Sequence, residues 1–354
     1  MSRTYVYVSN AADGDITTYR MQPDGVLQPG ARVKAADAVG PMAVSPDRRF
    51  LYAAVRSKPF SVHAYAIDPG TGALAPLAVS PLAESFPYIA LDRTGRYLFG
   101  ASYHANVISV NAVGTDGRVA AAPLQLIPVG RNAHSIRTDE SNRFVYVPTL
   151  GSDQMFQFAF DANTGRLSSN TPAVAQMQAG TGPRHFVTSA DNRFLYVLSE
   201  LLATVTTFAL DAKTGLLTEI GSASGLPTDT QLVPGAPRVP AAPPRNRDRD
   251  IWAADIHLTP DGRFLYISER TSSSLGAFSV NAETGKLTYL GSTPTETQPR
   301  GFAIAPNGRF LVACGEKSET ISVYAIDQVS GALALLQKYP GGKGANWVEI
   351  VSFG

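Results

Sequence analysis

The sequence predicts an all-β protein: a seven-bladed β-propeller of four-stranded blades, its ring closed by the C-terminal strand joining the N-terminal blade. Three observations predict it. A turn running into a hydrophobic strand recurs at a period of about 47 residues. An alternating strand ending in an Asp/Thr-Gly turn recurs in phase with it. The copies at the two termini are each incomplete, in complementary ways.

The first element reads Pro46-Asp47-Arg48-Arg49-Phe50-Leu51-Tyr52, Thr94-Gly95-Arg96-Tyr97-Leu98-Phe99 and Ser141-Asn142-Arg143-Phe144-Val145-Tyr146. It returns at Asp191-Asn192-Arg193-Phe194, Pro260-Asp261-Gly262-Arg263-Phe264 and Pro306-Asn307-Gly308-Arg309-Phe310, with a seventh remnant at Tyr5-Val6-Tyr7. The six arginines stand 47, 47, 50, 70 and 46 residues apart. The second element appears as Val62-His63-Ala64-Tyr65-Ala66-Ile67 before Thr71-Gly72, with relatives before Gly165, Gly215, Gly285 and Gly331. Period-two alternation gives each strand one face in a core, and the glycine supplies the positive φ of the hairpin. A short strand precedes each Arg-containing turn, starting near Pro41, Pro87, Ala133, Pro183, Ala254 and Pro299, and a seventh, Ala345–Ile350, ends the chain with no turn after it. That spare strand should complete the blade whose first strand the N-terminus lacks, which leaves the ring no open edge.

Residues 1–354 therefore read as a single domain. A net charge of +1 gives no reason to expect nucleic acid or an anionic membrane as partner. No run of about 18 apolar residues and no basic, apolar N-terminal segment predicts a spanning helix or a signal peptide. The lone Cys314 fits a reducing, cytoplasmic setting, although a small buried strand residue explains it as well. A monomer or weak homo-oligomer is expected. The one break in period is a Pro-rich surplus at 221–250, with prolines at 227, 234, 237, 240, 243 and 244 before Arg245-Asn246-Arg247-Asp248-Arg249-Asp250. It predicts an irregular loop inserted over the face where the first strand of each blade starts, the channel face, and that location favours a lid over a tolerated insertion.

Blade topology sorts the polar residues. With strands lettered A, innermost, to D, the starts of the A strands and the ends of the B strands share one face, and the Arg-containing A–B turns lie on the other. The repeat arginines 49, 96, 143, 193, 263 and 309 then read as structural. On the opposite face the repeat is broken. Where two blades have Met42 and Tyr88 at the A-strand start, the others have His134, Arg184-His185, Asp255 with His257, Arg300 and Trp347. B-strand ends carry Arg56, Ser102-Tyr103, Glu200, Glu269-Arg270 and Glu316-Lys317. Convergent polar groups at a channel mouth are a candidate site. His134 is the leading candidate among five histidines; for His185 and His257 a hydrogen-bonded structural imidazole is an equal alternative. Asp255 and His257 share a strand face but have no third ligand nearby, so no metal is expected, and no cofactor motif is present.

These residues carry a resemblance to the seven-bladed lactonases, a family including bacterial propeller-type 6-phosphogluconolactonase and fungal carboxymuconate cyclase. The matching segments are Gly182-Pro183-Arg184-His185, Ser199-Glu200-Leu201, Trp252–Arg263, Glu269-Arg270-Thr271 and Pro294–Phe302. The resemblance implies catalytic residues at His134, Arg184, Glu200 and Arg270, with Arg300 close by, and a small anionic lactone as substrate. Arg184, Arg300 and Lys317 would hold the anion, with His185, Asp255, His257 and Trp347 also in the binding site. Glu200 or His134 would activate water while a cation stabilises the oxyanion. A muconate-type cycloisomerase uses the same parts, and a non-catalytic scaffold is the alternative from outside enzymes.

Overall fold

The computed structural model describes residues 3–238 and 245–354. Seven antiparallel four-stranded sheets form the ring. Blade one is closed as the terminal residues predict. Its A strand, Ala345–Phe353, pairs with Arg3–Asn10 from Arg3↔Phe353 to Asn10↔Ala345, and Asp15–Met21 and Leu27–Lys34 complete the sheet. The other A strands, in chain order, are Val39–Val44, Tyr88–Leu91, Arg137–Thr138, Pro183–Thr188, Ala253–Leu258 and Phe302–Ile304. They open blades two to seven.

B strands such as Phe144–Thr149 and Phe264–Glu269 are buried along their whole length. Both faces pack against neighbouring blades, so the apolar cores lie between blades, as where Tyr5, Tyr7 and Leu51 meet across blades one and two. The hairpin glycines show why the repeat keeps its spacing. Gly215 has φ +70°, and a Cβ there would sit 2.2 Å from the ring of Phe144 in the preceding blade. The Tyr146 hydroxyl donates to the Gly215 carbonyl at 2.7 Å. Gly72 and Gly331 receive Tyr7 and Tyr266 in the same way. Each glycine thus meets a dihedral and a steric demand together.

The six repeat arginines are structural. Each guanidinium lies over the aromatic ring that follows it, at 4.8 to 5.8 Å. Arg193 also reaches the Ala282 carbonyl of the next blade at 2.6 Å.

The Pro-rich surplus differs in extent from its sequence boundaries. The D strand of blade five runs Leu217–Ser224, so residues 221–224 belong to the sheet and the insertion begins after them. Prolines 240, 243 and 244 lie outside the described residues. The described flanks are docked, with Leu226 and Ile251 buried in the core between blades five and six. The Val233 amide donates to the Arg249 carbonyl at 2.8 Å, and the Val233 carbonyl accepts from the Ile251 amide at 2.9 Å. Buried Asp250 takes both Arg245 and Arg247.

Candidate active site

Ordinary strand alternation would turn only one of two successive residues into the channel. At Arg184 and His185 both side chains are buried, because the register shifts between Pro183 and His185. A second irregularity between Ala253 and Ile256 brings Asp255 inward beside them. Bulges re-aim side chains in this way, and alternation in the sequence does not reveal them.

Glu200 follows the B strand Phe194–Ser199, with its amide on the Gly182 carbonyl and its carbonyl taking the Ala253 amide. It thereby joins blades five and six at the channel mouth. One carboxylate oxygen, Oε2, accepts Arg184 Nε at 2.8 Å and Arg270 Nη2 at 3.1 Å. Among the described residues no hydrogen bond reaches Oε1. Arg270 also donates to the carbonyls of Trp252 and Ala253. Burial, partly offset by Glu200, brings Arg270 down to about 9, still protonated at neutral pH.

A hydrogen-bonded chain continues inward from Arg184. Its Nη1 lies 3.1 Å from His185 Nε2, and His185 Nδ1 lies 2.8 Å from Asp255 Oδ1. Asp255 Oδ1 also takes the Ile256 amide, and Oδ2 lies 3.2 Å from His257 Nε2. Burial pushes the Asp255 carboxyl up, but the His257 charge and the hydrogen bonds from His185 and His257 hold it well below the usual carboxylate range. Burial and the Arg184 charge press His185 down to about 3. A neutral His185 therefore donates from Nδ1 to ionised Asp255 and accepts from Arg184 at Nε2. Both Asp255 oxygens are engaged within the protein, and no cluster of three metal-ligating side chains occurs among the described residues.

His134 sits beside this chain, 5.1 Å from the His185 ring and 5.7 Å from Tyr103. It is buried, and its Nδ1 has no hydrogen-bond partner. Burial first, then Arg184, His185 and Arg300, hold it well below the usual imidazole range, so it is neutral. Arg300 is buried, with its nearest carboxylate at Glu316, 3.7 Å away. Lys317 is exposed at the rim and does not join the buried cluster. Trp347 packs edge-on against Tyr88 at 5.3 Å and near His185, its indole N–H donating to Glu349 at 2.8 Å. Glu269 caps the adjacent backbone through Trp252 N and Ser272 N.

Arg56, one of the B-strand-end residues singled out in the sequence, is pushed down to about 10 by burial and by Arg300. Two further neighbours were not among the sequence candidates. The Trp252 ring is held between two guanidinium groups, Arg270 at 3.7 Å and Arg238 of the Pro-rich segment at 3.6 Å. Trp252 did stand in a matching segment; Arg238 had no signal beyond membership of the loop. The Gly235 amide donates to the Leu201 carbonyl, one residue from Glu200.

A model of the family described as "Lactonase, 7-bladed beta-propeller" matches residues 4–350. A 6-phosphogluconolactonase of Serratia proteamaculans is 39% identical over 347 residues, 98% of each chain. One from Pectobacterium carotovorum is 37% identical over the same share. The structure of a periplasmic gluconolactonase of Pseudomonas aeruginosa superposes with a TM-score of 0.86 at 26% identity, covering 99% of both chains. This chain belongs to the seven-bladed β-propeller lactonase family.

Proposed function

We propose that this protein hydrolyses the ring ester of an anionic sugar lactone at the channel mouth, 6-phosphogluconolactone in the first place and a hexaric or uronic lactone as the alternative. The observation that carries the reading is a charge imbalance. Arg56, Arg184, Arg270 and Arg300 converge where Glu200, Glu316 and Asp255 are the nearby carboxylates, which leaves the cations in excess. An anionic substrate completes that balance, and guanidinium suits phosphate and carboxylate alike. The names of the relatives point to the same ester.

In this mechanism the second carboxylate oxygen of Glu200 or the His134 imidazole takes a proton from water as it attacks the carbonyl. Arg270 and Arg184, held in orientation through Glu200, stabilise the oxyanion. His185 and Asp255 act one step back, fixing Arg184 in place. The cycle needs no cofactor. Cys314 is fully buried with its thiol on the Gly301 carbonyl, so the chemistry works in a reducing or an oxidising compartment. No helix among the described residues is long and apolar enough to cross a membrane. The proposed setting is the cytoplasm, with the enzyme a monomer or weak homo-oligomer.

The test compares 6-phosphogluconolactone, a hexaric lactone and uncharged gluconolactone. The charged lactones should give a kcat/KM at least ~10-fold above the neutral one, the worth of about one charge-assisted pair. Equal turnover of the neutral lactone overturns the anion reading.

The Pro-rich segment is proposed to act as a lid anchored by Arg238 on Trp252. Replacing residues 237–244 with a short Gly/Ser linker keeps Leu226, Ile251 and the Asp250 pairs. Such a variant should unfold cooperatively and lose ~10-fold or more in turnover or selectivity, as lid removal admits water. Non-cooperative unfolding would make the segment structural instead.

A further inference from the structure

The channel continues below the His185–Tyr88–Trp347 layer into a chamber of about 410 Å³. Its walls run from His185, Asp255 and Trp347 down to Pro46, Asp92 and Arg93, so it opens on the A–B turn face, away from Glu200. We propose that this chamber is a second binding site, which takes a small hydroxylated monocarboxylate of the sugar-acid type.

The lining supplies each part of that recognition. Arg137, from the A strand of blade four, presents its guanidinium to the chamber, and no ion pair engages it among the described residues. It is the group that receives the carboxylate, by two parallel N–H bonds. Trp347 and Tyr88, edge to face at 5.3 Å, give ring surfaces for a C–H face. The Tyr88 hydroxyl, which lies against the Arg137 guanidinium, and Glu349 line the same wall and can meet ligand hydroxyl groups. The volume falls within the range of small-ligand pockets. Arg137, Tyr88 and Glu349 stand outside the Glu200–His134 cluster, so the inference stands whether or not the proposed hydrolysis is right.

Glu349 tunes the site. It is surrounded by protein and faces the Trp347 indole on its own strand, Arg137 from blade four, and His257 and Asp255 from blade six. Burial raises it to about 7, against the pull of the indole, His257 and Arg137. A carboxylate ligand at Arg137 is repelled by ionised Glu349 and accepted beside the neutral acid. Binding should therefore strengthen as pH falls from 8 to 6.

The chain has two tryptophans, so Trp252→Phe leaves Trp347 as the sole reporter inside the chamber. In that background D-gluconate should give a saturable fluorescence change, and inorganic phosphate and acetate should compete weakly. Adding Arg137→Met should weaken gluconate at least ~10-fold, a charged hydrogen-bonded contact being lost, while Arg137→Met alone leaves lactone turnover unchanged. Should Arg137→Met not fold, Glu349→Gln serves: it should tighten gluconate at pH 8 and remove the pH dependence. No saturation up to about 50 mM, an unaltered titration in Arg137→Met, or no change in Glu349→Gln overturns the site. Phosphate or acetate binding as tightly as gluconate overturns the ligand class.

Discussion

Glu200→Gln is expected to lower lactone turnover ~10²–10⁴-fold, the usual cost of losing a general base. The substitution keeps shape and one acceptor but removes the charge that can take a proton. Arg184, Arg270 and Arg300 remain, so an anionic product analogue should bind at least as well as to wild type. The variant will also be less stable than the sequence suggests. A strand-end carboxylate reads as a surface ion pair worth ~1 kcal/mol or less. In the fold Glu200 is 4% exposed and shared between two buried guanidinium groups. Removing one partner of such a pair costs up to ~3–5 kcal/mol, less where a Gln carbonyl still accepts. Turnover must therefore be measured with a matched check of folding, such as circular dichroism. Near-wild-type turnover in a folded variant would mean that Glu200 only orients its arginines. The base is then His134, and His134→Gln should show the loss instead.

Much of this arrangement was legible in the sequence, for reasons that can be named. A turn-plus-strand repeat whose arginines each precede an aromatic residue carries the blade count, and the displaced Ala345–Ile350 strand carries ring closure. Because A-strand starts and B-strand ends share a face, sorting by topology alone gathers His134, Arg184, Glu200, Arg270 and Arg300. The structure brings these five together and leaves Lys317 at the rim. Less legible was anything set by a register shift. Strict alternation gives no reason for Arg184 and His185 to be buried side by side, and only the bulge after Pro183 explains it. The docking of the Pro-rich segment also escaped notice, since Val233, Gly235 and Arg238 make their contacts through backbone amides and one stacked guanidinium. The lower chamber was hidden for a third reason. Arg137, Tyr88 and Glu349 sit at unremarkable alternating positions of three different A strands, and only the closing of the ring brings them together.

The buried titratable groups make a second large effect testable, with opposing signs. His134 and His185 are held neutral in the fold, with pKa values depressed below the unfolded 6.5. Their contribution to stability is full above that value and is lost as pH falls, because the unfolded chain takes up protons first. Half-buried His63 acts weakly in the same direction. Glu349 acts oppositely. Its folded value of about 7 lies above the unfolded 4.5, so the folded state takes the proton first and gains stability between pH 7 and 4.5. From pH 7 to 5 His185 should cost roughly 2 kcal/mol, His134 adds to that loss in the same direction, and Glu349 should return roughly 2. Glu349→Gln should then lose roughly 2 kcal/mol more than wild type in urea unfolding over that interval. A Glu349→Gln protein with no steeper pH dependence than wild type would show that Glu349 is already ionised in the fold at pH 5. Indifference of both proteins to pH would mean that His134 and His185 accept protons without breaking their packing.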